Sequence, residues 1–437
     1  MTPEINPKPS ESQIEIKPID GPIDLTIQPP GSKSLTNRAL LCAALASGTS
    51  RLQNVLDSED TRVMIDCLRK LGVDVSDISP NSEVLVKGCG GKFPNSEADL
   101  FVENSGTTIR FLTAALGVHG GRFKLLGIDR MHQRPIGPLV KSLQKLGSNV
   151  KAISRNGCPP VVIDGPAADR NETEIAGDVS SQYLSGLMMA TPLLNRETTV
   201  RLTGELVSKP YVTMTQELMR SFSVHSQLEL TSRPIRFHIT GEQAYRGTDY
   251  LVEPDASAAS YFFGAAAICG GTATVTGLDR DSLQGDVAFV ECLAKMGCEI
   301  SYQSKQITVS GPAIRGIDID MSDISDTVQT LAAVALFVDG PTTIRGVAHN
   351  RVKETDRIGD LITELRRLGA QAEELPDGLV ITPSKLNPAR IETYNDHRMA
   401  MSLSLVGLKQ TGVVITNPEC TAKTYPRYFT DLQKLYS

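Results

Sequence analysis

The chain has 437 residues, of which 40% are hydrophobic and 22% charged, and its formal net charge is −6. This composition is typical of a globular protein with room for two or three domains. It excludes a membrane-spanning helix, because no window offers about 18 apolar residues without a charge, and its negative charge argues against a nucleic-acid-binding surface over the whole molecule. Eight cysteines without a C-x-x-C pair and six scattered histidines predict reduced core thiols, no metal site and a cytoplasmic protein.

The chain opens with residues 1–13, a polar, proline-bearing segment that predicts a flexible tail and not a signal peptide. Ile23–Ile27, where apolar and polar residues alternate, predicts a strand. A Pro-Gly turn then precedes residues 32–46, which begin polar and continue as an almost uninterrupted apolar run. This pattern predicts a helix that is buried on every side.

The start of that helix carries Lys33, Ser34 and Arg38. A helix start has free backbone N–H groups and a partial positive charge, so added cations make a strong anion site. The spacing is not that of a P-loop, because serine and not glycine directly precedes Lys33. An ordinary helix cap with surface charges is the alternative interpretation.

A helix that ends in an apolar residue, then Gly or Ser, then alternating residues recurs five times. The fifth positions of these copies are Gly72, Gly147, Ser223, Gly297 and Gly369, at intervals of 75, 76, 74 and 72 residues. Glycine just after a helix is typical of a residue with positive φ. We therefore expect a helix end and then a strand at each copy.

An apolar type of helix recurs with a similar period. Its predicted starts are Ser34, Thr107, Ser181, Ser257, Thr327 and His397, at intervals of 73, 74, 76, 70 and 70 residues. Several of these helices are followed by glycine and β-forming residues, which predicts a strand. The repeating unit therefore has the predicted order β-α-β-α-β-β, and six units fill the chain.

Helices that are apolar all round must be enclosed by other elements. Three per domain predict a mixed α+β protein with two similar domains: residues 32–250 form the first, and residues 14–31 with 251–437 form the second. The strand at Ile23–Ile27 is expected to complete a sheet of the second domain, so the chain crosses twice between the domains. Such a two-crossing hinge permits closure around ligands.

The unusual polar residues share one phase of the repeat, at the starts of the apolar helices and in the polar loops. Several Arg, Lys, Ser and Thr side chains there accompany helix N-termini, which predicts a site for a small polyanion with phosphate and carboxylate groups. Asp326 and Glu354 lie among these cations and are candidate acid–base groups.

Simpler interpretations exist for each candidate. Asp326 and the pair Ser180–Ser181 are also typical of helix caps. Residues 353–357 also fit a solvated first turn with ion pairs within the helix, and His397–Arg398 also fits a surface pair. The shared phase favours the functional interpretation of all of them together.

Five motifs in this order resemble the 5-enolpyruvylshikimate-3-phosphate synthase family, and the resemblance covers residues 14–430. The motifs are Pro-Gly-Ser-Lys-Ser-x-x-Asn-Arg (30–38), Leu-Val-Ser-Lys-Pro-Tyr (206–211), Arg-Val-Lys-Glu-Thr-Asp-Arg (351–357), Tyr-Asn-Asp-His-Arg-Met-Ala-Met (394–401) and Cys-Thr-Ala-Lys-Thr (420–424). The resemblance implies a fold of two domains with three repeats each, joined by a double crossover. This fold agrees with the periodicity.

The resemblance also implies an activity: transfer of the enolpyruvyl group of phosphoenolpyruvate to the 5-hydroxyl of shikimate 3-phosphate, with release of phosphate. It implies a monomer that acts on these two small molecules, with no metal, no organic cofactor, and no nucleic-acid or membrane partner. The implied catalytic groups are Asp326, Glu354 and Lys33. The implied ligands of shikimate 3-phosphate are Lys33, Ser34, Arg38, Ser180, Ser181, Gln182, Ser208, Tyr211, Asp326, His349 and Lys353. The implied ligands of phosphoenolpyruvate are Lys33, Gly106, Arg134, Gln182, Arg357, His397, Arg398 and Lys423.

Two positions depart from the family pattern. His349 stands where many members have asparagine, and Asn350 follows it, so the contact with the shikimate phosphate is expected from a histidine or a backbone N–H. Residues 105–111 differ from the Ala-Gly-Thr-Ala-Met-Arg-Pro form of enteric members. Gly106 in this segment borders the implied phosphoenolpyruvate pocket and leaves room there, which predicts sensitivity to glyphosate.

Two other functions remain as alternatives. The related UDP-N-acetylglucosamine enolpyruvyl transferase has the same repeat, but Gly31-Ser-Lys-Ser34 replaces its Gly-Ala-Lys-Asn, and residues 122–134 lack its nucleophilic cysteine. A repeat scaffold that only binds an anion would keep the cations but would need neither Asp326 nor Glu354.

Overall fold

The structure, a computed structural model, describes residues 12–436, so residues 1–11 of the predicted tail lie outside the described residues. The first unit consists of Pro30–Asp255 with Asp281–Gly285, and the second of residues 12–29, Ala256–Arg280 and residues 286–436. Each unit has its own hydrophobic core. No helix within residues 12–436 is both long enough and apolar enough to cross a membrane.

The elements follow one another in a repeating order. The described chain begins with strands β1 (Gln13–Ile16) and β2 (Ile23–Ile27). The first unit contains α1 (Lys33–Leu45), β3 (Thr49–Gln53), α2 (Glu59–Lys70), β4 (Asp74–Val75), β5 (Val84–Lys87), β6 (Glu97–Phe101), α3 (Gly106–His119), β7 (Gly121–Leu126), α4 (Gly137–Lys145), β8 (Val150–Ala152), β9 (Val161–Gly165), β10 (Glu172–Ala176), α5 (Ser181–Ala190), β11 (Thr198–Thr203), α6 (Lys209–Ser221), β12 (Gln227–Glu229), β13 (Arg236–Ile239) and β14 (Asp249–Leu251). The second unit continues with α7 (Ala256–Cys269), β15 (Gly271–Thr276), α8 (Phe289–Met296), β16 (Glu299–Gln303), β17 (Gln306–Gly311), β18 (Asp318–Asp320), α9 (Val328–Ala335), β19 (Thr342–Arg345), α10 (Gly359–Arg367), β20 (Gln371–Leu375), β21 (Gly378–Thr382), β22 (Ala389–Ile391), α11 (His397–Gly407), β23 (Val413–Thr416) and α12 (Tyr428–Leu432).

Helices and strands are mixed along the whole described chain, which confirms the predicted α+β class. The described residues form six sheets, and in each sheet the strand that follows a buried helix lies between one parallel and one antiparallel neighbour. The strand orders are β14-β3-β5-β4, β6-β7-β9-β8 and β10-β11-β13-β12 in the first unit, and β16-β17-β15-β2, β18-β19-β21-β20 and β1-β23-β22 in the second. Six sheets for six units confirm the repeat.

Two strands pair far from their neighbours in sequence. β2 pairs in parallel with β15 of the second unit, as predicted, with Ile23 opposite Gly271. β14 pairs in parallel with β3 of the first repeat. Leu251, where the sequence interpretation begins the fourth repeat, therefore lies opposite Gln53 in a sheet of the first unit.

The sixth repeat differs from the predicted β-α-β-α-β-β order. After β23 the chain forms a 3₁₀ segment, Pro418–Lys423, and the short helix α12, without a further hairpin in the described residues. The N-terminal strand β1 takes the place of that hairpin by pairing antiparallel with β23. The pattern of a helix end followed by Gly or Ser occurs only five times in the sequence. The missing sixth copy agrees with the absence of this second helix from the sixth repeat as the structure describes it.

The helix boundaries agree closely with the sequence pattern. The four glycines of the helix-end pattern have the expected positive φ: Gly72 (86°), Gly147 (98°), Gly297 (109°) and Gly369 (95°). Ser223 at the fifth copy also has a positive φ, 68°. The six buried helices begin within one residue of their predicted starts. At the starts of α1, α3, α5 and α11, a side chain caps the helix by accepting a hydrogen bond from a backbone N–H: that of Ser32, Ser105, Ser180 and Asp396, respectively.

Candidate active site

Arg38 on α1 is a buried cation of the first unit, with 1% of its surface exposed. Its Nε donates to Thr215 Oγ1 at 2.7 Å and its Nη1 to the Ser34 carbonyl at 2.9 Å. The guanidinium also lies 5.0 Å from the ring centroid of Phe111 and 5.8 Å from that of Tyr211. Burial lowers the pKa of Arg38 to about 10, so the group stays charged at neutral pH. Because these partners are all uncharged, the buried cation favours an anionic group.

Lys33 is the first residue of α1, one residue before the predicted start at Ser34. Ser32 caps this helix, since its Oγ accepts from Leu35 N at 3.4 Å. A cation at this end opposes the helix dipole, and Asp60 offsets the cost, with its Oδ2 3.6 Å from Lys33 Nζ. The Lys33 side chain remains 13% exposed. Asp60 therefore holds the ammonium group in place, while its exposed part can still bind an anion.

Gly106 begins α3 beside two arginines. A Cβ at this position would lie 2.5 Å from Nη2 of Arg134 and 3.2 Å from Nη1 of Arg110. Asn104 holds Arg134, whose Nη1 donates to the Asn104 carbonyl at 2.8 Å and to its Oδ1 at 3.0 Å. Arg110 Nη1 donates to Gln182 Oε1 at 2.6 Å. Because position 106 has no side chain, both guanidinium groups can lie against the helix start, an arrangement that suits a carboxylate or phosphate.

The starts of α5 and α6 carry further predicted residues. Ser180 Oγ accepts from the backbone N of Gln182 at 3.3 Å, so the cap interpretation is correct for Ser180. Ser181 follows it as the buried first residue of α5. Ser208 precedes α6 with φ 53° and ψ 48°, a left-handed conformation that costs a residue other than glycine about 1–2 kcal/mol. Such strain persists where the surrounding structure over-determines a conformation, as it does at functional sites.

Asp326 lies at the centre of a cluster of charges in the second unit. Its Oδ1 accepts from Lys353 Nζ at 2.7 Å and from Arg357 Nη1 at 3.2 Å. Its Oδ2 accepts from Arg398 Nη2 at 2.8 Å. The N-cap of the following helix α9 is Thr327, so the cap interpretation of Asp326 is wrong. Burial lowers the pKa of Lys353, and the Asp326 carboxylate partly offsets this effect.

Arg357 joins three carboxylates of the same cluster. Besides Asp326, its Nη2 lies 2.9 Å from Glu354 Oε2, and its Nε and Nη2 donate to the two Asp396 oxygens at 2.7 and 3.1 Å. Asp396 also accepts from the backbone N of Arg398 at 2.9 Å and so caps α11. Burial lowers the pKa of Arg357, but the carboxylates of Asp396, Glu354 and Asp326 outweigh it and raise the pKa above its ordinary value.

Burial excludes two of the simpler interpretations of this cluster. Glu354 is 9% exposed and Arg357 1%, so residues 353–357 do not form a solvated turn. His397 and Arg398 are both buried at the start of α11, so they are not a surface pair. Buried ionic groups must be paired and hydrogen-bonded, and this network meets that demand with charges of both signs.

His349 lies in a 3₁₀ segment after β19, where the charges of Lys353 and Asp326 influence it. Burial, together with Lys353, lowers the pKa of His349 to about 3, so the imidazole is neutral near pH 7. The next residue, Asn350, is buried and its Nδ2 donates to the Ser325 carbonyl at 2.9 Å. A neutral imidazole has one donor and one acceptor nitrogen, so it can take the place of an asparagine in a hydrogen bond with a hydroxyl or a phosphate.

Replacing His349 by asparagine should make the free energy of unfolding less sensitive to acid. The unfolded histidine takes up a proton below its ordinary pKa of 6.5, whereas the folded protein takes it up only near about 3. The unfolded state binds more protons in this window, so stability falls as the pH falls, by about 1.4 kcal/mol per pH unit from this residue. Urea unfolding between roughly pH 4 and 6 measures the slope for the wild type and the variant.

The matched control is asparagine in place of His225, an exposed histidine. This variant should keep the slope of the wild type. Equal slopes for the wild type and the His349→Asn variant would contradict a neutral, buried His349.

The structure brings predicted residues together within each unit. In the first unit, Ser34 and Tyr211 contact Arg38, and Gln182 contacts Arg110, which lies beside Gly106 and Arg134. In the second unit, Lys353, Arg357 and Arg398 contact Asp326, and Glu354 contacts Arg357. Lys423 is buried at the end of Pro418–Lys423, and His397 Nδ1 lies 3.7 Å from Asp396 Oδ1.

Sequence reasoning assigned no role to Arg110 or Asp396. Both lie in polar segments at helix starts that the sequence analysis had singled out. Their partners Gln182 and Arg357 lie 72 and 39 residues away along the chain, so no local pattern could reveal these pairs.

Comparison with known proteins supports one family. The model of the family "EPSP synthase (3-phosphoshikimate 1-carboxyvinyltransferase)" matches residues 17–432. The 3-phosphoshikimate 1-carboxyvinyltransferase of Trichormus variabilis is 44% identical over 97% of this chain and 99% of its own length. The chloroplastic enzyme of Arabidopsis thaliana is 45% identical over 97% of this chain and 84% of its own.

Solved structures agree with the fold. An EPSP synthase from Acinetobacter baumannii superposes with a TM-score of 0.80 at 24% identity, covering 97% of this chain and 98% of its own. A second structure of the enzyme from the same organism gives a TM-score of 0.78 at the same identity. With the sequence matches, these findings show that the chain belongs to the EPSP synthase (3-phosphoshikimate 1-carboxyvinyltransferase) family.

Proposed function

We propose that this chain transfers the enolpyruvyl group of phosphoenolpyruvate to the 5-hydroxyl of shikimate 3-phosphate and releases phosphate. This reaction belongs to the shikimate pathway, which leads to chorismate and the aromatic amino acids. Family membership and the names of the relatives support the activity. The observation that carries it in this chain is the buried cluster in which Asp326 and Glu354 lie among Lys353, Arg357 and Arg398.

We assign the proposed binding residues to the two substrates as follows. For shikimate 3-phosphate, the proposed ligands are Lys33, Ser34, Arg38, Ser180, Ser181, Gln182, Ser208 and Tyr211, with Asp326, His349 and Lys353. For phosphoenolpyruvate, they are Lys33, Gly106, Arg134, Gln182, Arg357, His397, Arg398 and Lys423. Arg38, a buried cation with uncharged partners, supports a phosphate ligand in the first unit.

The reaction proceeds by addition and elimination. The 5-hydroxyl oxygen of shikimate 3-phosphate attacks C2 of phosphoenolpyruvate, and Asp326 accepts the proton that this hydroxyl loses. Glu354 with Lys33 delivers a proton to C3. The resulting tetrahedral ketal then loses a C3 proton and expels phosphate with the bridging oxygen. Arg357 and Arg398 are fixed by carboxylates and need no rearrangement when negative charge develops, which is the condition for electrostatic stabilisation of a transition state.

The test of this function is phosphate release with both substrates present. Release should require phosphoenolpyruvate and shikimate 3-phosphate together, and neither alone should support it. Release with UDP-N-acetylglucosamine but not with shikimate 3-phosphate would overturn the proposal in favour of the related transferase. Binding of both anions without any release would leave a binding scaffold.

Replacing Gly106 by alanine should raise the KM for phosphoenolpyruvate by roughly tenfold or more. The new Cβ would lie 2.5 Å from Arg134 Nη2, so this guanidinium must move. The KM for shikimate 3-phosphate should change little, and steady-state kinetics with each substrate varied in turn measures both values.

Gly137→Ala is the control, because its Cβ would meet the nearest atom, the Gly157 carbonyl oxygen, at 3.5 Å, an ordinary contact. An unchanged KM for phosphoenolpyruvate in the Gly106 variant would remove Arg134 from the proposed ligands. We also propose that the wild type is sensitive to glyphosate, and full activity at concentrations well above those that block sensitive relatives would contradict this.

A cytoplasmic location and a monomeric state belong to the same proposal. The eight cysteines are free thiols, six of them buried, which supports a reducing compartment. A molar mass near that of one chain, 47.1 kDa, in multi-angle light scattering is the expected result for the monomer.

A further inference from the structure

Glu364 on α10 is a buried carboxylate that the proposed reaction does not use. Its side chain is 0% exposed and accepts three hydrogen bonds. The donors are Arg367 Nη1 at 2.8 Å, the backbone N of Glu392 at 3.0 Å and the Tyr394 hydroxyl at 2.8 Å. Two of these donors belong to the loop between β22 and α11. Glu364 therefore ties α10 to that loop.

The loop that Glu364 holds has a strained backbone. Tyr394 and Asn395 follow one another with φ of 53° and 54°, and neither is glycine. A left-handed conformation costs a tyrosine about 1–2 kcal/mol, whereas asparagine adopts it more readily, so the surrounding structure must impose it at Tyr394. Within the loop, the Glu392 side chain accepts from Thr393 N at 3.2 Å and from Tyr394 N at 3.3 Å. Glu364 supplies the contacts to a helix outside the loop.

The residue that follows the strained pair is Asp396. It caps α11 and binds Arg357 through both of its carboxylate oxygens, at 2.7 and 3.1 Å. Arg357 itself lies two residues before the first residue of α10, the helix that carries Glu364. The segment 357–367 and the loop before α11 are thus joined twice. Asp396 binds Arg357 in the charge cluster, and Glu364 binds Glu392 and Tyr394 of the loop.

We infer that Glu364 is a positioning residue, which holds Tyr394 and Glu392 so that Asp396 fixes Arg357 in the geometry that the reaction needs. This inference rests on the proposed function, in which Arg357 binds phosphoenolpyruvate. Arg367 completes the tie, because its Nη1 donates both to Glu364 and to the Arg390 carbonyl at 3.0 Å at the end of β22. Glu364 acts through other residues and touches no substrate.

Two variants test the role. Glu364→Gln keeps the shape of the side chain but removes its negative charge, which weakens the hydrogen bonds from the Glu392 N–H and from Arg367. Tyr394→Phe removes only one hydroxyl donor. Each should lower kcat by about 10- to 100-fold, the usual effect of losing a group that orients a site residue. Each should also raise the KM for phosphoenolpyruvate and leave that for shikimate 3-phosphate within about twofold. The double variant should lose less than the product of the two single effects, because both substitutions weaken the same connection between α10 and the loop.

Glu291→Gln is the matched control. Glu291 on α8 accepts from the Tyr302 hydroxyl at 2.7 Å, a tyrosine–carboxylate bond in another repeat that is exposed at the surface. It should leave kcat and both KM values unchanged. If Glu364→Gln does not fold, Tyr394→Phe carries the test.

The outcomes separate the inference from the function on which it rests. An active wild type with Glu364→Gln and Tyr394→Phe variants of unchanged kinetics would overturn the positioning role alone. Equal increases in both KM values would also overturn it, because a general loss of packing does not select one substrate. A wild type that releases no phosphate would overturn the function and the positioning role together.

Discussion

Replacing Asp326 by asparagine should lower kcat by about 10³-fold and leave the affinity for shikimate 3-phosphate within a few-fold, in line with the loss of a general base. Asparagine keeps the shape of the side chain but only one acceptor oxygen, which can accept either from Lys353 and Arg357 or from Arg398. It cannot take the proton from the 5-hydroxyl. Rapid-quench measurement of turnover, with calorimetric titration of shikimate 3-phosphate, separates the loss of chemistry from any loss of binding.

Asp318→Asn is the control for this substitution. Asp318 pairs with Arg345 at the surface of the same unit, where the two side chains are 61% and 49% exposed. Exposed pairs contribute about 0–1 kcal/mol, so turnover should stay at the wild-type level. Unchanged turnover in the Asp326→Asn variant would remove Asp326 from the catalytic groups, and loss of binding alone would make it a ligand.

The second large effect is expected from Arg357→Met, which should lower the free energy of unfolding by about 3–5 kcal/mol and abolish measurable turnover. Methionine fills much of the space but leaves the carboxylates of Glu354, Asp396 and Asp326 without the cation that joins them. Breaking a buried ion pair from one side leaves uncompensated charge, which is far more costly than losing an exposed pair. Urea unfolding at pH 7 and phosphate release measure the two effects.

The control is Arg345→Met, which breaks the exposed pair with Asp318 and should lower the free energy of unfolding by less than about 1 kcal/mol. Arg357→Lys should be intermediate, because lysine keeps the charge but cannot make the forked contact with both Asp396 oxygens. Equal losses of stability for Arg357→Met and Arg345→Met would contradict the buried network.

The features that sequence predicted well are those encoded in short stretches of chain. The polar start and apolar body of each buried helix predicted its boundary to within one residue. The glycine after a helix predicted a positive φ at four of the repeat positions, and Ser223 at the fifth shares that conformation. Local chemistry decides both features, since a helix cap and a left-handed residue depend on a few neighbouring residues.

The features that sequence missed depend on contacts between distant segments. The pairing of β14 with β3 joins residues about 200 positions apart, and nothing in either strand specifies the partner. Asp396 was visible as a polar residue at a helix start, but its forked contact with Arg357 joins residues 39 positions apart along the chain. Glu364 on α10 is fully buried, and its partners Glu392 and Tyr394 lie 28 and 30 residues away along the chain.

The most direct test of the central claim follows the bridging oxygen of phosphoenolpyruvate. The enzyme is incubated with shikimate 3-phosphate and phosphoenolpyruvate that carries ¹⁸O between C2 and phosphorus, and the products are analysed by mass spectrometry. Addition at C2 followed by elimination predicts that all of the label leaves with phosphate and that the enolpyruvyl product keeps the unlabelled 5-oxygen. Label in pyruvate, with no enolpyruvyl product, would mean cleavage at phosphorus and would contradict the account.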